Sequence, residues 1–159
     1  MQLAVNGTRL WFDVEGPAIV ADGRELRRRP TVVLVHGGPG VYDHAYFKPD
    51  FGRLAYHAQV VYLDLRGHGH SEWGSAGDWT FEACADDIRA FCDALGIERP
   101  VVLGHSLGGI IALVYGGISY SRQRSLIGLG PILTTVTEQK SIPLSPFLGA
   151  ILVVGGSLS

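Results

Sequence analysis

The chain has 159 residues, of which 47% are hydrophobic and 18% charged; this composition supports one globular domain with a buried core and excludes disorder as its default state. The net charge of −2 offers no basic surface for nucleic-acid phosphates or an anionic membrane. Small neutral or polar partners are expected, and nothing in the composition sets an oligomeric state.

The opening stretch "LAVNGTRLWFDVEG" alternates apolar and polar residues around Asn6-Gly7. That dipeptide favours the tight turn with positive φ at both central positions, so an antiparallel hairpin is predicted. No positively charged segment followed by an apolar run stands at this end, so no secretory signal is read and a cytoplasmic location is expected. From Pro17 to Arg29 the pattern weakens into a polar connection, with Arg27-Arg28-Arg29 as solvated loop.

"TVVLVHG" is a β-branched apolar run ending in glycine, the pattern of a strand buried on both faces. The form recurs in "QVVYLDLRG", Gln59 to Gly67, and in "PVVLG", Pro100 to Gly104, with helix-forming sequence between. Buried strands alternating with helices predict an α/β fold, a doubly wound, mostly parallel sheet entered through the amino-terminal hairpin.

Between the last two strands a helix is predicted from Thr80 to about Leu95. Phe81, Ala85, Ile88, Cys92 and Leu95 form its core side, and Glu82, Asp86, Asp87, Arg89 and Asp93 its outer side. Thr80 caps its start and Gly96 stops it. Cys84 and Cys92 lie about 12 Å apart on this helix, beyond disulfide reach, and read as reduced core residues. Leu107 to Tyr115 is apolar on all sides and predicts a helix buried in the middle of the fold. "FLGAILVVGG", further on, is about half the length of a spanning helix, and no membrane segment is predicted.

In such sheets ligands bind at the carboxyl ends of the strands, and each buried strand here runs into a glycine-rich turn. The turns are His36-Gly37-Gly38-Pro39-Gly40, then "DLRGHGHS" from Asp64 to Ser71, then "GHSLGG" from Gly104 to Gly109. All three are expected along one edge. The spacing Gly104-x-Ser106-x-Gly108 between a strand and an apolar helix is that of a nucleophile elbow: the serine takes a strained conformation and side chains at the flanking positions would collide. An acyl-transfer site also needs backbone donors aimed at a developing oxyanion. The N–H of Leu107, at the positive end of the following helix, and the N–H of Gly38 are the candidates. Asp64 and Arg66 read as turn-stabilising partners, and His36 as a residue that fixes its loop.

With these turns in this order, the segment from about Leu3 to Tyr115 resembles the amino-terminal half of an α/β-hydrolase, and "HGGPG" resembles the proline iminopeptidase branch. The resemblance implies Ser106 as nucleophile and Gly38 and Leu107 as oxyanion donors, with no cofactor and no metal. The second turn matches the family at Asp64, Arg66, Gly67, Gly69 and Ser71. Similar iminopeptidases usually carry tryptophan directly after the serine, where this chain has Leu107, and "GHSLGG" is shared with many esterases. A peptide amino terminus and a small ester therefore both stand as substrate classes. Branches that remove halide or open epoxides have aspartate at the elbow, which Ser106 argues against.

A serine hydroxyl needs a histidine to accept its proton and a carboxylate to orient that histidine; in this family they follow the serine, acid first. After Ser106 the sequence has no histidine and no aspartate, and Glu138 is its single acidic residue. His68 and His70, on the second turn, are the earlier histidines with a path to the cleft, whereas the side chain of His105 should leave on another side. From about Gly117 the alternation of charged helices and apolar strands is lost. The expected organisation is thus 1–117 as hydrolase-type chain and 118–159 as an atypical tail, truncated or frame-shifted, with at most one further strand, "SLIGLG" being its candidate. An exposed edge on the serine-bearing strand, with a tendency to aggregate, is expected to follow. The rival to an active hydrolase is a hydrolase-derived fragment, inert or retained as a binding module.

Overall fold

A computed structural model describes residues 1–116 and 152–154. Strands β1 (Gln2–Val5) and β2 (Thr8–Glu15) form the predicted hairpin, with Val5 opposite Thr8. Asn6 at φ 45° and Gly7 at φ 72° supply the positive φ pair that a two-residue turn of this hand requires.

The Pro17–Arg29 connection is not plain loop. It folds back as a separate antiparallel pair, β3 (Ile19–Asp22) and β4 (Glu25–Arg28), turning at Gly23 with φ 62°. Its side chains are mostly exposed, so it lacks the apolar alternation by which half-buried strands are recognised. Arg27 and Arg28 are solvated as expected, but on β4.

The central strands are β5 (Thr31–Val35), β6 (Gln59–Leu63) and β7 (Val101–His105), and β8 (Leu152–Val154) follows. The sheet order is β1-β2-β6-β5-β7-β8. β2 joins β6 antiparallel, while β6, β5, β7 and β8 run parallel. Val33, Val35, Val61 and Leu63 face one side, packed with the helices α2 (Phe81–Ala94) and α3 (Leu107–Tyr115). Val32, Leu34, Val60, Tyr62 and Leu103 face the other, under Phe47 and the short helix α1 (Lys48–Phe51). Both faces being covered is why these strands are continuous apolar runs.

β8 answers the question of the serine-bearing strand's far edge. Leu103, Gly104 and His105 of β7 pair with Leu152, Val153 and Val154, so the strand added after the elbow helix comes from "FLGAILVVGG". "SLIGLG" and Glu138 lie outside the described residues. No helix among the described residues is long and apolar enough to cross a membrane.

Helix α2 begins at Thr80, whose hydroxyl accepts the N–H of Ala83 at 3.1 Å. It ends at Gly96, φ 64°, where the N–H groups of Gly96 and Ile97 return to the carbonyls of Asp93 (3.1 Å) and Cys92 (2.9 Å), the paired bonds of a Schellman stop. Its core side is Cys84, Ala85, Ile88, Phe91 and Cys92. Phe81 and Leu95, at the helix ends, are 41% and 42% exposed rather than in the core. Asp87, placed by its charge on the outer side, is buried. Burial pushes the thiols of Cys84 and Cys92 up to about 11 and about 12, so both are free, protonated core residues as read from their spacing. Helix α3 buries Gly108, Gly109, Ile111 and Ala112, but Ile110 is exposed, so it is not enclosed on every side.

A Cβ at Gly96 would meet nothing within 4 Å, so Gly96→Ala has only the left-handed backbone to overcome. Urea denaturation should show a loss of about 1 kcal/mol, with an unchanged m-value.

Candidate active site

β7 turns into α3 through a single residue. Ser106 sits at φ 54°, ψ −116°, a conformation that costs a non-glycine residue on the order of 1–3 kcal/mol and persists only where its surroundings over-determine it. Its carbonyl accepts the N–H of Gly109 at 3.0 Å, which starts the helix. Its side chain is exposed and makes no capping bond, and among the described residues its hydroxyl has no hydrogen-bond partner.

The flanking glycines are required by space. A Cβ at Gly104 would overlap the backbone of Gly108 and Gly109, and a Cβ at Gly108 would overlap the carbonyls of Val35 and His36 at the end of β5. Backbone atoms cannot swing aside as a side chain can, so α3 reaches β5 only with glycine at both positions.

The three turns meet as predicted. A Cβ at Gly37 would stand 3.3 Å from Ser106 Cβ and 3.2 Å from His105 Nδ1; one at Gly38 would stand 2.8 Å from Leu107 Cδ2 and 2.7 Å from His68 Nε2. Gly38 thus lies between the second turn and the start of α3. Leu107 begins α3, where an N–H has no intrahelical acceptor; neither its N–H nor that of Gly38 is taken by a hydrogen bond among the described residues. Pro39 follows Gly38 through a cis peptide, and Gly40 has φ 74°.

His36 is fully buried and fixes its loop. Its Nε2 accepts the N–H of Leu65 at 3.1 Å, so Nδ1 carries the proton and donates to the Gly37 carbonyl at 2.5 Å. Burial holds its pKa below the ordinary histidine value; the Gly37 carbonyl opposes this and neighbouring His68 adds to it.

Asp64 and Arg66 are turn-stabilising partners, each with an acceptor or donor set the sequence did not reveal. The buried carboxylate of Asp64 accepts the N–H of His70 at 2.8 Å and the N–H of His44, and His44 Nδ1 lies 3.0 Å from Oδ1. Gly69 is needed because a Cβ there would overlap that carboxylate, and Gly67, φ 72°, because one would overlap the Trp79 indole. Ser71 donates to the Asp64 carbonyl at 2.7 Å and accepts the N–H of Trp11 at 2.8 Å, tying the turn to β2. Arg66 holds Asp87 in two parallel bonds, Nε to Oδ2 and Nη2 to Oδ1, both 2.6 Å. Asn6 of the first hairpin adds a 3.3 Å bond to the same carboxylate.

The earlier histidines do not complete a triad among the described residues. His70 faces Asp64 and packs on Trp11, ring centroids 5.1 Å apart. His68 Nδ1 is 2.9 Å from the Arg66 carbonyl, while its buried Nε2 faces Gly38 with no hydrogen-bond partner among the described residues. The His105 ring leaves the elbow toward Tyr46 and Tyr42, at centroid distances of 5.1 and 6.2 Å. Asp87, His44 and Trp79 escaped the sequence reading. Only Asp87 carried a signal: it lies three residues after Cys84 and four before Phe91, on the margin of the buried stripe.

Residues 30–150 match the α/β hydrolase fold family. The chain is similar to proline iminopeptidase PfmaB of Pestalotiopsis fici, 32% identical over 113 residues covering 70% of this chain and 36% of that protein. Lipase LipV of Mycobacterium tuberculosis is 33% identical over 103 residues, 63% of this chain and 36% of that one. Among solved structures, the enol-lactonase of Burkholderia xenovorans LB400 superposes with a TM-score of 0.61 at 30% identity, over 74% of this chain and 41% of that one. The chain spans about a third of the length of the curated relatives it matches.

Two measurements test this framework. Asp87→Ala leaves Arg66 charged and nearly buried without its partner, and chemical denaturation should show a loss of about 3–5 kcal/mol; the apolar pair Arg66→Met with Asp87→Leu should recover most of it. His36 has a folded pKa below 6.5, so on acidification the unfolded chain takes up a proton that the folded chain refuses. Stability should be intact above about pH 6.5 and fall below it by up to about 1.4 kcal/mol per pH unit, and His36→Gln should flatten that slope.

Proposed function

Because the chain belongs to the α/β-hydrolase fold family, we propose that it carries the nucleophile and oxyanion-binding half of a serine hydrolase acting on a peptide amino terminus or a small ester. The observation that carries this reading is the strained backbone of Ser106, φ 54° and ψ −116°, with its hydroxyl projecting where three glycine-rich turns converge. Strain of this kind is held at a site whose side chain must be presented to a ligand.

In the proposed reaction the Ser106 hydroxyl attacks the substrate carbonyl. The carbonyl oxygen becomes an oxyanion between the N–H groups of Gly38 and Leu107, each such donor contributing about 2.7–4 kcal/mol to the barrier reduction. Collapse expels the amine or alcohol and leaves an acyl group on Ser106, which water then removes. Gly38 has to be glycine for this, since a side chain would occupy the gap between His68 and Leu107. The serine proton must pass to a base, and the leaving group must be protonated. In the family order both tasks fall to a histidine beyond the elbow, oriented by an acid that precedes it.

A second reading rests on a specific fact: among the described residues no histidine is hydrogen-bonded to the Ser106 hydroxyl, since His68 bonds to the Arg66 carbonyl, His70 faces Asp64 and His105 packs toward Tyr46. On that reading the 159 residues form a hydrolase-derived module, with the atypical tail proposed for 118–159, that binds a small molecule or short peptide in the cytoplasm without turning it over. Neither reading calls for nucleic acid or membrane.

A serine-directed organophosphorus probe, a prolyl arylamide and p-nitrophenyl acetate separate these readings. The hydrolase reading expects probe labelling at Ser106, abolished in Ser106→Ala, with the better of the two substrates identifying the peptidase or esterase class. A folded chain that ignores the probe and hydrolyses neither substrate above the rate of Ser106→Ala would overturn it in favour of the module.

A further inference from the structure

Outside the serine site, His44, Asp64 and His70 bring two imidazoles and a carboxylate together with their ligand atoms all within 4.8 Å of one another. We propose that this cluster is a binding site for a borderline transition-metal dication of the zinc class, a site independent of the hydrolase reading.

The two donor distances from Asp64 fit such an ion. Zinc is held by imidazole nitrogen at about 2.0–2.1 Å and carboxylate oxygen at about 2.0–2.2 Å, so neighbouring donors in a tetrahedral shell lie roughly 3.3–3.4 Å apart. Asp64 Oδ2 is 3.1 Å from His44 Nδ1 and 3.6 Å from His70 Nδ1, on either side of that value. His44 Nδ1 is also 3.0 Å from Oδ1.

The supporting shell is also in place. Asp64 is completely buried, and each of its oxygens already accepts one backbone N–H, His44 on Oδ1 and His70 on Oδ2. These bonds fix the carboxylate as outer-shell partners fix metal ligands, and each oxygen keeps a second lone pair. The Trp11 indole packs on both rings, at centroid distances of 6.2 Å to His44 and 5.1 Å to His70. The His70 side chain is 60% exposed, which provides an entry path and room for water in a fourth position. Two imidazoles select zinc, cobalt, nickel or copper over calcium and magnesium, which take oxygen ligands. His44 lies beyond the first glycine turn, which carries Gly38, and Asp64 and His70 lie on the second, so the ion would clamp the segment after the first turn to the second turn.

The test uses the tag-free 159-residue chain with CoCl₂ followed by visible absorption and ZnCl₂ followed by calorimetry and thermal unfolding. One equivalent of Co²⁺ with a four-coordinate spectrum, displaced by Zn²⁺, together with a Zn²⁺-dependent rise in Tm, is expected. His70→Ala and His44→Ala keep the backbone N–H groups that hold Asp64, and each should weaken binding by at least about tenfold. His57→Ala, an exposed histidine outside the cluster, should leave it unchanged. No saturable binding, binding that survives both cluster variants, or equal affinity for Mg²⁺ would overturn the proposal.

Discussion

The constraint on which the site depends is the close approach of α3 to the end of β5. Gly104 and Gly108 let the backbone after the serine lie directly against the carbonyls of Val35 and His36. That contact leaves no room for a loop between strand and helix, so Ser106 has to absorb the whole change of direction in its own φ and ψ. The same contact brings Gly37 and Gly38 alongside the elbow. The proposed nucleophile and the proposed oxyanion donors therefore share one steric cause, and neither can be adjusted without the other.

A second layer of order is polar. The turn after β6 is held by charges and backbone donors, in a place where apolar packing alone would not specify a register. Asp64 gathers backbone N–H groups from two loops, Ser71 bridges the turn to β2, and Arg66 carries it to α2 through Asp87. Charge-assisted bonds of this kind are roughly twice as strong as neutral ones, and in a water-poor setting their failure is costly. The second turn is thereby fixed from three directions, and His68 with it, at the side of Gly38.

Much of this was legible in the sequence, for reasons that differ by element. The β1–β2 hairpin was announced by Asn6-Gly7, since few other dipeptides take positive φ twice. The central strands were legible because burial on both faces leaves unbroken apolar runs, and the elbow because a glycine pair around a serine has a steric rationale. Local pattern fails where a residue's fate is decided by a distant partner. Asp87 is outward by charge and inward by fact, because Arg66, distant in sequence, neutralises it. His44 opens a single 3-10 turn, His44–Phe47, in a stretch with no periodicity at all, and it owes its position to Asp64. β3 and β4 bury almost nothing, so they leave no hydrophobic signature, and β8 is identified only by its pairing with β7.

The β3–β4 hairpin has an architectural consequence. Its ends are drawn together where it leaves the body of the fold, with the Arg29 N–H bonded to the Ala18 carbonyl at 2.8 Å, and its tip at Gly23 has open space around it. The excursion is therefore a side branch on a closed base. Lengthening or shortening it changes little besides loop-closure entropy, about 0.6 kcal/mol for each doubling of length. It is a natural graft point, where a reporter or a whole foreign domain can be carried without disturbing the elbow.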